Sequence, residues 1–219
     1  MPFAAALKSA WAKPLLHGLC LLPLATLLWA AFNGGLGANP VEKLTHETGD
    51  WTLRLLLLTL ALSPLRQWTG IAAVIRFRRM LGLYTFFYLC GHFLIWFVAD
   101  HSLAITGMLE DIVERPYITL GFSGFVLMIP LALTSNRASL LRLGKRWKTL
   151  HQLVYPILLL GVLHFIWLTR ADYLEPGIYA IIAVILLLHR VGPVRRAVSG
   201  SPPVARRPEF GPDPRRMQQ

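Results

Sequence analysis

Six apolar stretches run through this chain, at 14–32, 51–65, 80–99, 117–134, 149–169 and 174–188. A helix rises 1.5 Å per residue, so about 20 apolar residues cross the hydrocarbon core of a bilayer, with a working range of roughly 17–25. The second and sixth stretches are the shortest, and Pro64 is expected to end or kink the second, because proline lacks the amide proton and crowds the preceding turn. No stretch alternates like a strand, and an open sheet in lipid would leave its edge groups unpaired. The chain therefore reads as all-α, a polytopic membrane protein built as a six-transmembrane-helix bundle. Composition agrees: only 15% of the 219 residues are charged, against about 25% in soluble domains. The first stretch follows Lys8 and Lys13 like a secretory signal, but it outruns a signal core of roughly 7–15 residues and reads as a retained helix.

The formal net charge of +11 is distributed by side. Lys8 and Lys13, Arg66 with Arg76, Arg78 and Arg79, and the cations of 137–148 fall in one set of loops, and the tail after Gly192 adds more. The opposite loops hold Glu42, Glu47, Asp50, Asp100, Glu110, Asp111, Glu114, Asp172 and Glu175, with Lys43, Arg115 and Arg170. Lys and Arg in short loops mark the cytoplasmic side, which places both termini in the cytoplasm. This asymmetry accounts for the charge without nucleic acid. Residues 1–191 read as one membrane domain, and 192–219 as a basic tail that is disordered or lies on anionic membrane lipid.

No loop is long enough to fold as a catalytic domain, and no phosphate loop, dinucleotide fingerprint or nucleophile elbow appears. Cys20 and Cys90 lie in apolar runs and form no Cys-x-x-Cys pair, so disulfide, zinc and covalent haem attachment are poor readings. Chemistry must therefore sit between the helices.

Coordinating side chains within a membrane are costly and mark function. Of seven histidines, His46 and His101 fall in acidic loops and read as solvated, while His17 and His189 read as interfacial residues bonded to headgroups. His92 lies eight residues before Asp100 and His164 eight before Asp172. Their helices run the same way, so both imidazoles lie about 12 Å below the acidic loops. Two imidazoles facing each other at one depth suit a six-coordinate b-type haem. Aromatic residues flank them: Phe86, Phe87, Phe93, Trp96, Phe165 and Trp167. The bland reading is an interhelical hydrogen bond worth about 0.6 kcal/mol. His151 stands thirteen residues before His164, where it would serve a second, inner haem or neighbour another cofactor. Thirteen steps do not return to the same helix face, unless a kink at Pro156 changes the phase. The matching positions before His92 are Arg79 and Arg78, which would pair with haem propionates or a flavin phosphate.

The stretches RRMLGLYTFFYLCGHFLIW, RWKTLHQLVYPILLLGVLHFIW and TGDWTLRLLLLTLALSPLR resemble the MsrQ (YedZ) family, haem-binding membrane subunits of the bacterial protein-methionine-sulfoxide reductase system. The wider group is the ferric-reductase-like transmembrane domain shared with NADPH oxidases, which place two histidines on each of two helices. Here one helix keeps His151 and His164 and the other keeps His92 alone. The resemblance implies an electron-transfer subunit of the bacterial inner membrane that binds haem b, one or two, and FMN. It implies electrons drawn from the quinone pool or a cytoplasmic flavin reductase. Their destination would be a periplasmic molybdopterin-containing methionine sulfoxide reductase that repairs oxidised envelope proteins. The alternatives are a ferric-reductase-like cytochrome b with a separate reductase, and a transporter using the histidines as a proton relay.

Overall fold

The computed structural model describes residues 6–169 and 171–190; the tail at 192–219 and Arg170 lie outside the described residues. The helices are α1 (Ala12–Phe32), α2 (Pro40–Thr69), α3 (Arg78–Ile95), α4 (Ile105–Glu114), α5 (Pro116–Leu133), α6 (Arg137–Leu143), α7 (Lys145–Leu150), α8 (Val154–Leu168) and α9 (Leu174–Leu188). No strand occurs among the described residues. Among the described residues four segments are long and apolar enough to cross a membrane: Ala12–Phe32, Ala72–Asp100, Pro116–Leu133 and Lys145–Leu168. Their outward faces expose Leu15, Leu19, Leu159, Leu163 and Trp167, and α9 likewise exposes Ile181 and Ile185. A water-soluble chain does not leave such continuous apolar surface uncovered; this is a membrane protein.

The interior is a layer of interlocking aliphatic side chains. Leu53, Leu56, Leu57 and Leu60 of α2 meet Met128 and Leu131 of α5, Ile157, Leu158 and Val162 of α8, and Ala183 and Leu186 of α9. Among lipid-bathed helices such close packing, rather than escape from water, holds the bundle together. A second cluster of Cys20, Leu55, Leu81 and Tyr88 joins α1 to α2 and α3. The Tyr88 hydroxyl donates to the Cys20 carbonyl at 2.8 Å and accepts from the Leu24 amide at 3.1 Å. It thus inserts into one turn of α1, which satisfies backbone groups that lipid cannot.

Three helices differ from the sequence reading at their boundaries, each for a local reason. α2 starts at Pro40 rather than at 51, because Asn39 caps it by accepting from the Glu42 amide at 3.3 Å and proline suits the first turn. It does not end at Pro64, which is buried inside it. It ends at Gly70, whose φ of 69° forms a left-handed cap. α3 passes into a π-turn over Trp96–Asp100, followed by Ser102 and Leu103 at positive φ. α8 begins only at Val154, after a 3-10 turn over His151–Leu153. Pro156 falls in its first turn, where a missing amide proton leaves no helical bond unmade.

Candidate functional site

The fold pairs α2 with α3 and α5 with α8, and this doubled arrangement builds the site. His92 projects from α3 and His164 from α8, and their ring centres stand 6.2 Å apart with planes at 82°. His92 Nδ1 bonds the Thr45 carbonyl of α2 at 2.9 Å, and His164 Nδ1 bonds the Tyr117 carbonyl of α5 at 2.6 Å. Each acceptor lies 47 residues before its histidine. A carbonyl can only accept, so each Nδ1 carries the proton and each Nε2 keeps its lone pair free for a ligand. That is the arrangement in which metal-binding histidines are held.

Four residues beyond each acceptor stands a glycine against the ring. A Cβ at Gly49 would lie 3.1 Å from His92 Cε1, and one at Gly121 would lie 2.9 Å from His164 Nδ1. Both positions exclude a methyl group unless the ring moves.

The two imidazoles line a cavity of about 420 Å³, within the range of cofactor sites. Its walls are Leu53 and Leu56 of α2, Phe93 and Trp96 of α3 with its π-turn, Phe122, Phe125 and Met128 of α5, and Ile157 and Phe165 of α8. Phe93 stacks on Phe125 with centres 4.5 Å apart. Polar groups gather at the end of the acidic loops: Asn39, Glu42, His46, Asp50, Asp100 and Arg115. At this mouth the Asp50 carboxylate lies 3.7 Å from Arg54 Nη2.

No group of three or more His, Cys, Asp or Glu that could hold a metal ion occurs among the described residues. Two histidines alone fit a group that brings its own equatorial nitrogens. A metal–imidazole bond of about 2 Å on each side, plus roughly 1 Å from nitrogen to ring centre, sets axial imidazole centres about 6 Å apart. The 6.2 Å separation and the apolar slot meet that requirement.

The other residues singled out by sequence lie elsewhere. His151 is not in the cavity wall: its Nδ1 contacts the Trp147 carbonyl at 3.1 Å, its Nε2 lies 3.4 Å from Ser135 Oγ, and its ring stacks on Trp147 at 3.8 Å. Arg79 is exposed, whereas Arg78 is half-buried and near enough to Arg190 to be repelled by it. Arg190 lies over Tyr155 at 5.7 Å and leaves Nη2 buried and unbonded. Among the described residues no carboxylate pairs with either arginine.

Two histidine readings need correction. His101 is not a solvated loop residue: it is tucked against Trp96 at 4.7 Å, with Nε2 3.3 Å from Asp111. The reversal of the chain at Ser102 and Leu103 folds α4 back over it. His189 does not reach headgroups; it is 4% exposed and bonds Gln67 at 2.9 Å, because α9 ends against the end of α2. His17 bonds the Tyr84 hydroxyl at 2.8 Å across α1 and α3. Among the flanking aromatics, Phe93, Trp96 and Phe165 line the cavity, while Phe87 and Trp167 face outward.

Sequence reasoning passes over Thr45, Gly49, Tyr117, Gly121, Phe122 and Phe125, since nothing in their spacing marks them. It also passes over Arg54, though a cation inside an apolar stretch is itself a signal. Arg54 bonds Glu175 at 2.8 Å and the Tyr179 hydroxyl at 2.6 Å, tying α2 to α9 beside the cavity mouth.

Residues 48–162 match the family described as Ferric reductase like transmembrane component. The chain is 50% identical over 186 residues to the protein-methionine-sulfoxide reductase heme-binding subunit MsrQ of Xanthomonas axonopodis pv. citri, covering 82% of this chain and 85% of that one. It is 50% identical over 181 residues to the subunit of the same name from Bordetella pertussis, covering 82% and 88%. No solved structure matches.

Proposed function

The chain belongs to the ferric reductase like transmembrane components and, among them, to the MsrQ heme-binding subunits, and on that premise we propose that it conducts electrons through a b-type haem held by His92 and His164. The observation that carries the reading is the facing pair of imidazoles, each with Nδ1 committed to a backbone carbonyl and Nε2 turned free. Haem supplies reversible one-electron chemistry when bound. His92 and His164 would hold it between them, and a haem held by two histidines would suit electron transfer rather than oxygen chemistry. Leu53, Phe93, Phe125 and Phe165 exclude water from the slot.

On this reading residues 1–191 form the haem domain and 192–219 a cytoplasmic tail. α2 and α9 complete six spans with the four longest segments, and both termini lie on the cytoplasmic side of a bacterial inner membrane, following the distribution of Lys and Arg. The haem site then sits nearer the periplasm. Electrons enter from the quinone pool or a cytoplasmic flavin reductase and leave to a periplasmic, molybdopterin-containing methionine sulfoxide reductase that repairs envelope proteins.

FMN binds at the cytoplasmic face, its phosphate held by Arg78 and Arg79. In support, Arg78 and its neighbour Arg190 are cations without a carboxylate among the described residues. His151 borders that inner site as a ligand or neighbour of the cofactor there, its Nδ1 donating to the Trp147 carbonyl at 3.1 Å while the Ser135 hydroxyl beside Nε2 donates to the Leu131 carbonyl at 2.6 Å.

The test is a reduced-minus-oxidised optical spectrum of the detergent-purified full chain with pyridine haemochrome quantitation. The expected result is one haem b per chain with a sharp low-spin α-band, lost in His92→Ala and in His164→Ala. A colourless protein made with adequate haem supply, or variants that keep the wild-type spectrum, would overturn the reading.

A further inference from the structure

Taking His92 and His164 as the axial pair, we infer that Gly49 and Gly121 are positioning residues that set the angle between the two imidazole planes, and so the electronic character of the metal between them. Each imidazole touches the neighbouring helix at two points one turn apart. The carbonyl of Thr45 or Tyr117 holds Nδ1, and the glycine four residues on lets the ring lie against bare backbone. Residues four apart share one face of a helix, so carbonyl and glycine together form a saddle for a flat ring. The saddle recurs with identical spacing in both halves of the bundle.

The distances say what a methyl group would do. A Cβ at Gly49 would stand 3.1 Å and 3.2 Å from His92 Cε1 and Nδ1. One at Gly121 would stand 2.9 Å, 3.0 Å and 3.3 Å from Nδ1, Cε1 and Cγ of His164. Comfortable carbon contacts begin near 3.5 Å. With Nδ1 tethered to a carbonyl and Nε2 to the metal, the ring escapes by turning about the line through those attachments. That motion changes the tilt of its plane. Glycines on the ligands' own helices carry no such constraint: nothing lies within 4 Å of a Cβ at Gly91, beside His92, and the nearest atom to one at Gly161 is Leu53 Cδ1 at an ordinary 3.7 Å.

The angle matters because of orbital overlap. An axial imidazole donates through the π orbital normal to its plane, and so raises one of the two metal d orbitals that contain the axial direction. Parallel rings raise the same orbital and split the pair. Rings at 82° raise both almost equally, which leaves the ferric ion with a strongly anisotropic low-spin resonance. Rings locked before an electron arrives also need little rearrangement when it does.

The test is low-temperature electron paramagnetic resonance of the oxidised full-length protein, with haem quantitation and redox titration, for the wild type and for Gly49→Ala, Gly121→Ala and Gly91→Ala. We expect a strongly anisotropic low-spin signal in the wild type. Gly49→Ala and Gly121→Ala should retain haem but move toward a rhombic signal with an altered midpoint potential, and Gly91→Ala should match the wild type. A rhombic wild-type signal overturns the inference, as do unchanged signals in both saddle variants. Should a saddle variant fail to fold, the wild-type signal still decides. Loss of the bis-histidine haem reading would appear separately, as haem retained unchanged in His92→Ala; silent glycine variants around an intact haem would sink only this inference.

Discussion

The Tyr117 carbonyl lies 2.6 Å from His164 Nδ1, which fixes the imidazole's proton on Nδ1 and leaves Nε2 with its lone pair. The Tyr117 backbone thus does for His164 what Thr45 does for His92, and the ligand face of each ring is set by another helix. Removing a ring while leaving its pocket should therefore be repairable. Imidazole added to His164→Ala is expected to restore the low-spin bands that the variant lacks, with a smaller effect in a protein also changed at His92. Optical titration with imidazole measures this, and no recovery at saturating imidazole would contradict it.

His151 lies outside the cavity wall that His92 and His164 share, so His151→Ala should keep the wild-type haem-to-protein ratio. The loss of its contact to the Trp147 carbonyl and its stack on Trp147 should lower stability by about 1 kcal/mol. Haemochrome quantitation and a thermal melt check both, and a halved haem content would mean that His151 ligates a second haem.

Arg54 ties α2 to α9 through Glu175 and Tyr179. The pair is partly exposed, with about a third of the Arg54 side chain accessible, so screening reduces its strength. Arg54→Ala is expected to cost about 1–2 kcal/mol, more than Glu175→Gln. The double variant should fall short of the sum by about 1 kcal/mol, as coupled residues do. Thermal unfolding followed by the haem bands supplies the cycle; strict additivity would show that the two side chains act apart.

α4 presents Glu110 and Glu114 to solvent, whereas Asp111 turns inward to Arg115 and His101. If the reductase partner docks over the cavity mouth, Glu110→Lys with Glu114→Lys should slow electron delivery to it several-fold at low salt and flatten the salt dependence. Haem content should not change. Stopped-flow oxidation of the reduced protein by the purified partner gives the rate, and equal rates at all salt concentrations would place docking elsewhere.

Lipid-crossing helices were legible in the residues themselves, because long apolar runs have few alternatives in a chain with so little charge. His92 and His164 were legible as a pair for a similar reason: a regular helical rise turns counting from Asp100 and Asp172 into depth. What surrounds the pair was not. The partners of Nδ1 are backbone carbonyls, which every residue possesses, and the glycines matter only through a ring that approaches from another helix. The same holds for His101 and His189, which look like solvated or interfacial residues until the return of α4 and the ending of α9 against α2 bury them. Composition and period decided that this chain lives in a membrane and where along it the paired histidines lie. Only the packing of α2 on α3 and α5 on α8 decided which nitrogen faces the cavity and at what angle, because those depend on contacts between residues far apart in the chain.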